Sequence, residues 1–454
     1  MSGEPLLRAA VPPVEEGSAE DAWTGPAWVP TRALGRTVLL TGLLLVAGVA
    51  LGRVDLVLLA APFAIGGALA LRRMPRSAPQ VTIDADEEHL VEGGSVDGGL
   101  TVANPDVIRY DLVVVRTRTS PWLELEKADR PFAVTVPVDG WTGIDLPGDA
   151  LRWGRHDVGP AAARVAACAG LLACRPVVTP ARGVRVYPVT EPFAAVEAMP
   201  AAAGLVGNHR SRRPGEGGEL AGVRPFAPGD RLRRIDWRVS LRTRDLHVAA
   251  TLSDRDAEVL LLLDVLGEAG TSGGVKGTAS VLDTTVRAAA AIAEHYLKRG
   301  DRVSLLEYGA AARRLRPATG RRQYLTVLEW LLDVRADVSD QAPTEHVFGA
   351  HHVSSDALVV VLTPLVDPRS ADMLASLTQS GRYTVAVDTL PAGAAPPQRS
   401  PWTPLATRLW RIERDNVLGR LREHGVPVVT WAGAGSLDLV LRDVARLASA
   451  PRGR

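Results

Sequence analysis

The sequence predicts an α/β protein: a doubly wound domain in the C-terminal half, preceded by an antiparallel β-sandwich-like domain and an N-terminal transmembrane helical hairpin. Three observations carry this reading. Two unbroken apolar runs, TVLLTGLLLVAGVALG and LVLLAAPFAIGGALAL, lie between Thr37 and Leu71, separated only by Arg53, Val54 and Asp55. Short runs of alternating polarity fill residues 80–188, and from Glu258 onward wholly apolar strands alternate with amphipathic helices. A chain of 454 residues exceeds what one core supports, so two or three domains are expected. With 52 Lys and Arg against 51 Asp and Glu, the molecule as a whole is no polycation built for nucleic acid. The two cysteines, Cys168 and Cys174, make neither a disulfide framework nor a zinc site.

Residues 1–36, rich in Pro, Glu and Ala and without periodicity, read as a disordered cytosolic lead. The hairpin follows over 37–72. Each apolar run rises about 24 Å against a hydrocarbon core of about 30 Å, so the spans must borrow flanking residues. Glu4, Glu15, Glu16, Glu20 and Asp21 argue against a signal peptide, and neither run has the polar face that a soluble helical hairpin needs. Arg32 and Arg36 precede the hairpin, and Arg72, Arg73 and Arg76 follow it. The positive-inside rule then puts both ends in the cytoplasm: a multi-pass protein of the inner or plasma membrane with its large C-terminal region cytosolic.

The sandwich is expected over 78–190. Its strands are VTI, LTV, DLVVVRT, PFAVTV, GLLAC and GVRVYP, with turns at Asn104-Pro105, Asp139-Gly140 and Pro147-Gly148. The α/β domain is expected over 251–450. It begins with the strand VLLLLDV, a helix closed by Gly300, the strand DRVSLLEYG and a helix over Tyr324 to Val334. The strand ALVVVLT, a helix over Ala371 to Ser380 and the strand YTVAVDTL come next, then a helix around Asn416 to Glu423, the strand VPVVTW and a last helix from Leu437 to Ala448. Continuous apolar strands imply a parallel sheet covered on both faces, with any ligand at the carboxyl ends of the strands.

The first of those strands ends in Asp264, which suggests a divalent-cation site. The metal-ion-dependent adhesion site of von Willebrand A domains uses D-x-S-x-S at such a turn, because magnesium wants several hard oxygens. Here the serine positions hold Leu266 and Glu268, so the site is degenerate and no bound metal or other cofactor is expected. Asp367 offers a second carboxylate, and Arg321 or Arg322 offers a guanidinium that could neutralise Asp264 in place of a cation. GTSGGVKGTAS lacks the Gly-Lys-Ser/Thr of a phosphate loop, and His346, His351 and His352 match no metal spacing.

Residues 205–250 form a segment of their own, dense in arginine and aspartate. Ala227-Pro228-Gly229-Asp230 fits a type II turn. Asp230, Asp236 and Asp245 alternate with Arg224, Arg233, Arg234, Arg238 and Arg242, which reads as an ion-paired clamp between the sandwich and the α/β domain, with Ile235 and Trp237 as anchors. A docking face is the second reading, since arginine pairs beside a tryptophan are interface chemistry. A nucleic-acid patch is the third. It is disfavoured because Phe226 and Trp237 are the only aromatics there, and no nucleic-acid partner is expected.

The run from Gly207 to Val248 resembles the signature of the domain of unknown function 58 family. Glu219, Arg224, Pro228, Gly229, Asp230, Arg233, Asp236, Trp237, Ser240 and Arg242 hold signature positions, while Leu220, Phe226 and Leu241 depart from it. The resemblance implies a membrane-anchored chain whose C-terminal domain is von Willebrand A-like. It also implies partnership with a MoxR-type AAA+ ATPase, and with transglutaminase-like membrane proteins, in assembly or maturation of other proteins. The expected function is a membrane-tethered, non-enzymatic adaptor or protein-interaction module without catalytic residues. The alternative is a metal-dependent hydrolase or nuclease using Glu216, Glu219, Asp230 and Asp236.

Overall fold

The computed structural model describes residues 28–431 except 86–89, 127, 191–213, 228–234, 253–257, 311, 337–356, 381, 392–393 and 395–399. It divides into two compact units, Met1–Val186 and Tyr187–Arg454.

In the first unit β1 (Trp28–Pro30) leads into α1 (Arg32–Leu51), and α2 (Val54–Arg72) packs back along it. Gly52 ends α1 in the left-handed conformation, where glycine meets no Cβ penalty. Both helices are long and apolar enough to cross a membrane, and most of their large side chains, Leu39, Leu43 and Val49 among them, are exposed. α1 begins five residues before its apolar run, at Arg32, and α2 begins two residues before its own, at Val54.

Eleven strands follow: β2 (Gln80–Ala85), β3 (Leu90–Val91), β4 (Ser95–Asn104), β5 (Tyr110–Thr119), β6 (Leu123–Leu125), β7 (Phe132–Val136), β8 (Gly140–Ala150), β9 (Gly154–Ala167), β10 (Leu172–Cys174), β11 (Val177–Thr179) and β12 (Arg182–Tyr187). One antiparallel sheet runs β2-β4-β8-β6. The other is built on β9, which pairs with β5, β10, β11 and β12. Alternate side chains of both sheets, such as Val96, Leu100 and Val102 on β4 and Val113, Val115 and Val165 opposite, share one core.

Two expectations fail here. Pro147-Gly148 is no turn but lies inside β8, paired with Asp97 and Val96 of β4. A Cβ on Gly148 would fall 2.2 Å from the Glu124 carbonyl oxygen, so the glycine serves a close approach by β6. Residues 28–36, expected within the irregular lead, are ordered. β1 pairs with β10, and Trp28 and Leu34 are buried in the sandwich core.

In the second unit β13 (Pro214–Pro225) and β14 (His247–Leu252) form an antiparallel ladder, with the short helix α3 (Trp237–Thr243) between them in sequence. A six-stranded sheet then comprises β15 (Glu258–Asp264), β16 (Arg302–Tyr308), β17 (Arg314–Ala318), β18 (Leu358–Thr363), β19 (Tyr383–Asp388) and β20 (Val428–Thr430), in the order β17-β16-β15-β18-β19-β20. All neighbours are parallel except β17, which runs antiparallel to β16.

Among the described residues four helices accompany the sheet: α4 (Val281–Lys298), α5 (Gly320–Leu331), α6 (Pro368–Gln379) and α7 (Thr403–Glu423). Ser280 and Asp283 cap α4 reciprocally. Leu260, Leu262, Val359 and Val361 pack with Met373, Leu374 and Leu377 of α6 and Leu418 and Leu421 of α7. α4 contributes nothing to that cluster yet packs on β15, β16 and β18, so it covers the opposite face. The helix expected around Asn416 begins thirteen residues earlier, at Thr403, and the helix expected from Leu437 to Ala448 lies outside the described residues.

Candidate functional site

Counted in chain order, the sheet runs 3-2-1-4-5-6, and the order reverses between β15 and β18. Ligands of such sheets bind in the crevice outside the carboxyl ends of the strands at that point. Asp264 ends β15 there and Thr363 ends β18.

The Asp264 side chain is almost wholly buried. Oδ2 accepts hydrogen bonds from the hydroxyls of Thr363 and Ser370, each at 2.6 Å, and Oδ1 accepts the Leu266 N–H at 3.1 Å. Thr363 Oγ1 in turn accepts the Leu365 N–H at 3.0 Å. Burial pushes the Asp264 carboxyl above the usual carboxylate range; the three hydrogen bonds oppose that shift, and the negative charge of Asp367 adds to it. Burial also raises the neighbouring Tyr308 phenol.

Among the described residues the carboxylate finds no guanidinium. Arg321 and Arg322 open α5, just after β17, and β17 runs antiparallel. That reversal returns the chain to the amino end of the sheet, where Ala318 pairs with Val303, while Asp264 sits at the carboxyl end opposite Tyr308. Asp367 does not share a site with Asp264 either. It caps α6, accepting the Arg369 N–H at 2.9 Å, and binds the Arg369 guanidinium at 2.9 and 2.7 Å, which holds its carboxyl below the usual range. Leu266 is core, and Glu268 accepts the Leu282 N–H at the start of α4. Among the described residues, no three His, Cys, Asp or Glu side chains converge as metal ligands.

Around the crevice the sequence reading missed two anchors. Arg414 of α7 donates to Asp388 at the end of β19, 2.5 Å from Nη2 to Oδ1, and to the Pro364 carbonyl at 3.1 and 3.2 Å. Thr285 of α4 bonds Thr389 across 2.9 Å. Neither pair has a local spacing that could announce it, since the partners stand 26 and 104 residues apart.

The arginine-rich segment is a second candidate. Phe226 N–H bonds the Leu246 carbonyl, Ile235 bridges Val248, and Asp236 N–H bonds the His247 carbonyl, so the segment folds onto β14. Asp236, expected to pair with arginine, instead caps α3: Oδ1 accepts the N–H groups of Arg238 and Val239 at 3.0 and 3.1 Å. The buried Ser240 hydroxyl donates to the Asp236 carbonyl at 2.7 Å and accepts the His247 N–H at 2.9 Å, fastening the helix to the strand. Arg224 is half-buried and donates to the Pro225 carbonyl, while Arg242 is exposed.

Trp237, expected as an anchor beneath, is 61% exposed, and Leu241, one turn on, is 79% exposed. Helical geometry fixes Trp237 and Leu241 on one face, with Arg238 and Arg242 along its flank. Glu216 and Glu219 lie on β13, in the stretch 214–221 whose backbone alone is described. Pro228, Gly229, Asp230, Arg233, Arg234, and the histidines at 346, 351 and 352 fall outside the described residues.

Residues 222–390 match the family described as protein of unknown function DUF58. An uncharacterized protein of Mycobacterium bovis and another of Mycobacterium tuberculosis are each 36% identical to the chain over 157 residues, covering 34% of this chain and 46% of theirs. The chain thus spans about half the length of the curated relatives it matches. Among solved structures, alpha-2-macroglobulin from Escherichia coli, from domain MG7 to the C-terminus, aligns at 19% identity and a TM-score of 0.22, over 25% of this chain and 17% of that one. That likeness is too slight to carry an argument.

Proposed function

The chain carries a DUF58-family domain over residues 222–390, and from that premise we propose that it is a membrane-tethered, non-enzymatic interaction module that docks a MoxR-type AAA+ ATPase through α3. The observation that carries the reading is a division of labour within one short helix. The Asp236 side chain caps α3 and the Asp236 N–H bonds the His247 carbonyl, the Ser240 hydroxyl accepts the His247 N–H, and the helix thus fastened to β14 presents Trp237 and Leu241 to solvent. An exposed tryptophan flanked by arginines is the chemistry of an interface hot spot.

In this reading α1 and α2 anchor the chain with both ends cytosolic, as the flanking arginines direct, and the sandwich stands next to the anchor. The α/β unit is von Willebrand A-like, a reading supported by its strand order and by the acid at the end of its first strand. Its crevice acts as structure, because the Asp264 oxygens are engaged by hydroxyl and amide donors and Leu266 offers no ligand.

Full-length protein in lipid nanodiscs, titrated with the MoxR-type ATPase of the same organism, tests the proposal. Trp237→Ala is expected to weaken binding by about thirty-fold or more, the effect of a hot-spot side chain. A wild type that does not bind the ATPase, or a Trp237→Ala variant that binds equally well, sinks the docking role. Magnesium- or manganese-dependent hydrolysis of a nucleic acid or phosphoester by the wild type would instead establish the enzyme reading.

A further inference from the structure

Among the described residues, the longest helix of the α/β unit is partnered on one side only. α7 packs on its own domain through Arg414, Leu418 and Leu421. On its other side Trp402, Leu405, Leu409 and Ile412 are 73%, 54%, 60% and 54% exposed. Their spacing of three, four and three residues is the a/d repeat of a two-stranded coiled coil, and the next a position holds the exposed Asn416.

We propose that α7 pairs in parallel with α7 of a second copy of this chain, burying this stripe in a two-fold seam. The charges choose the occupant. With Trp402, Leu409 and Asn416 at a, the g positions hold Arg408 and Asp415, and the following e positions hold Glu413 and Arg420. In a parallel pair each g residue faces the e residue five positions on in the other helix. Arg408 therefore meets the partner's Glu413, and Asp415 meets the partner's Arg420. Both matches are of opposite charge, and symmetry makes them four. All four side chains are exposed, and among the described residues none of them has an ion-pair partner within the chain.

Asn416 fixes the alignment further. In parallel register it faces the partner's Asn416, and the two amides can bond each other. An antiparallel pairing that keeps Leu409 and Ile412 in the seam sets it against the partner's Leu405, an unpaired amide on an apolar neighbour. The seam is short, about two heptads. Confinement of both copies to one membrane raises their effective concentration and offsets the small buried area.

Disulfide capture in membranes holding the full-length Leu409→Cys variant tests this, with the wild type as blank. Its own cysteines are buried at Cys174 and half-buried at Cys168. Oxidation is expected to give a 409–409 dimer. Adding Arg408→Glu should lower its yield about five-fold, and adding Glu413→Arg to that chain should restore it. These positions face away from Arg414, Leu418 and Leu421, so the fold survives the changes. A Leu409→Cys chain that stays monomeric overturns the proposal, as does one that cross-links only to a co-expressed Ile412→Cys chain, or a double charge reversal that fails to restore capture. The outcome is independent of whether α3 binds an ATPase.

Discussion

Asp264 is held by donors that carry no charge. Two hydroxyls and one amide stabilise its carboxylate, burial opposes it more strongly, and its pKa is raised in the folded chain. The consequence for stability has a definite sign. Between the unfolded carboxyl pKa near 3.9 and the raised folded value, the folded chain binds more protons than the unfolded one, so stability falls as pH rises through that window. Asp367 acts in the opposite sense. Its lowered pKa contributes stability above the ordinary carboxylate range, lost as pH falls. Asp264→Asn keeps an acceptor for the Leu266 N–H and removes the titration. Urea midpoints measured from pH 4 towards neutrality should decline in the wild type and in Asp367→Asn, and the decline should flatten in Asp264→Asn; an undiminished slope in that variant would assign the effect elsewhere. The acid itself was legible, because an aspartate closing an apolar strand stands out. Its partners were not, since Thr363 and Ser370 lie 99 and 106 residues away and join it only when β18 settles beside β15.

At the scale of elements, legibility followed where each apolar stripe points. The strands of the parallel sheet are apolar on both faces, and α4 carries its own capping box, so these stood out in the sequence. The first half of α7 did not, because its apolar residues face outward among arginines while its packing face depends on Arg414. β8 was obscured by Pro147 and Gly148, which read as a turn although their real context is the close passage of β6. In the arginine-rich segment composition suggested ion pairing, whereas Asp236 serves as a cap, a role set by backbone direction and not by charge count. Arg414 offers the clearest test of what seats α7. The guanidinium and the Asp388 carboxylate are both nearly buried, so Arg414→Ala leaves an acid without its cation inside the domain. That change should cost about 3–5 kcal/mol, while Glu413→Ala, exposed and one residue away, should cost under about 0.5 kcal/mol. Equal unfolding midpoints for the two variants would mean that the helix is seated by its leucines alone.

For the whole molecule, the boundary between the apolar hairpin and the sandwich is the feature composition could not reveal. The apolar runs mark the hairpin, but nothing in Trp28 to Leu34 announces that it belongs to a β domain more than forty residues later. The structure sews both ends of the hairpin to that domain. Before α1, β1 pairs with β10, Trp28 packs against Tyr110 in a tilted arrangement at 5.4 Å between ring centroids, and the Thr31 hydroxyl donates to the Gly170 carbonyl. After α2, the Asp106 carboxylate accepts the N–H groups of Arg76 and Ser77, and the Ser77 carbonyl accepts the Trp28 indole N–H at 2.8 Å. The two ends of the hairpin thus bond each other as well as the sheet, and the sandwich core includes side chains that precede the hairpin. A fragment of residues 80–187 should therefore be a damaged domain. It lacks an edge strand and a buried tryptophan, whose removal from a core costs about 3–5 kcal/mol. A chain that keeps 28–36 and 73–187 and replaces 37–72 with a short flexible linker should recover that stability without either apolar helix. Urea unfolding of the two fragments separates the cases. Equal stability would show that the sandwich owes nothing to its lead, whereas recovery by the linked form alone would show that the residues flanking the hairpin belong to the sandwich fold and that the hairpin is an insertion within it.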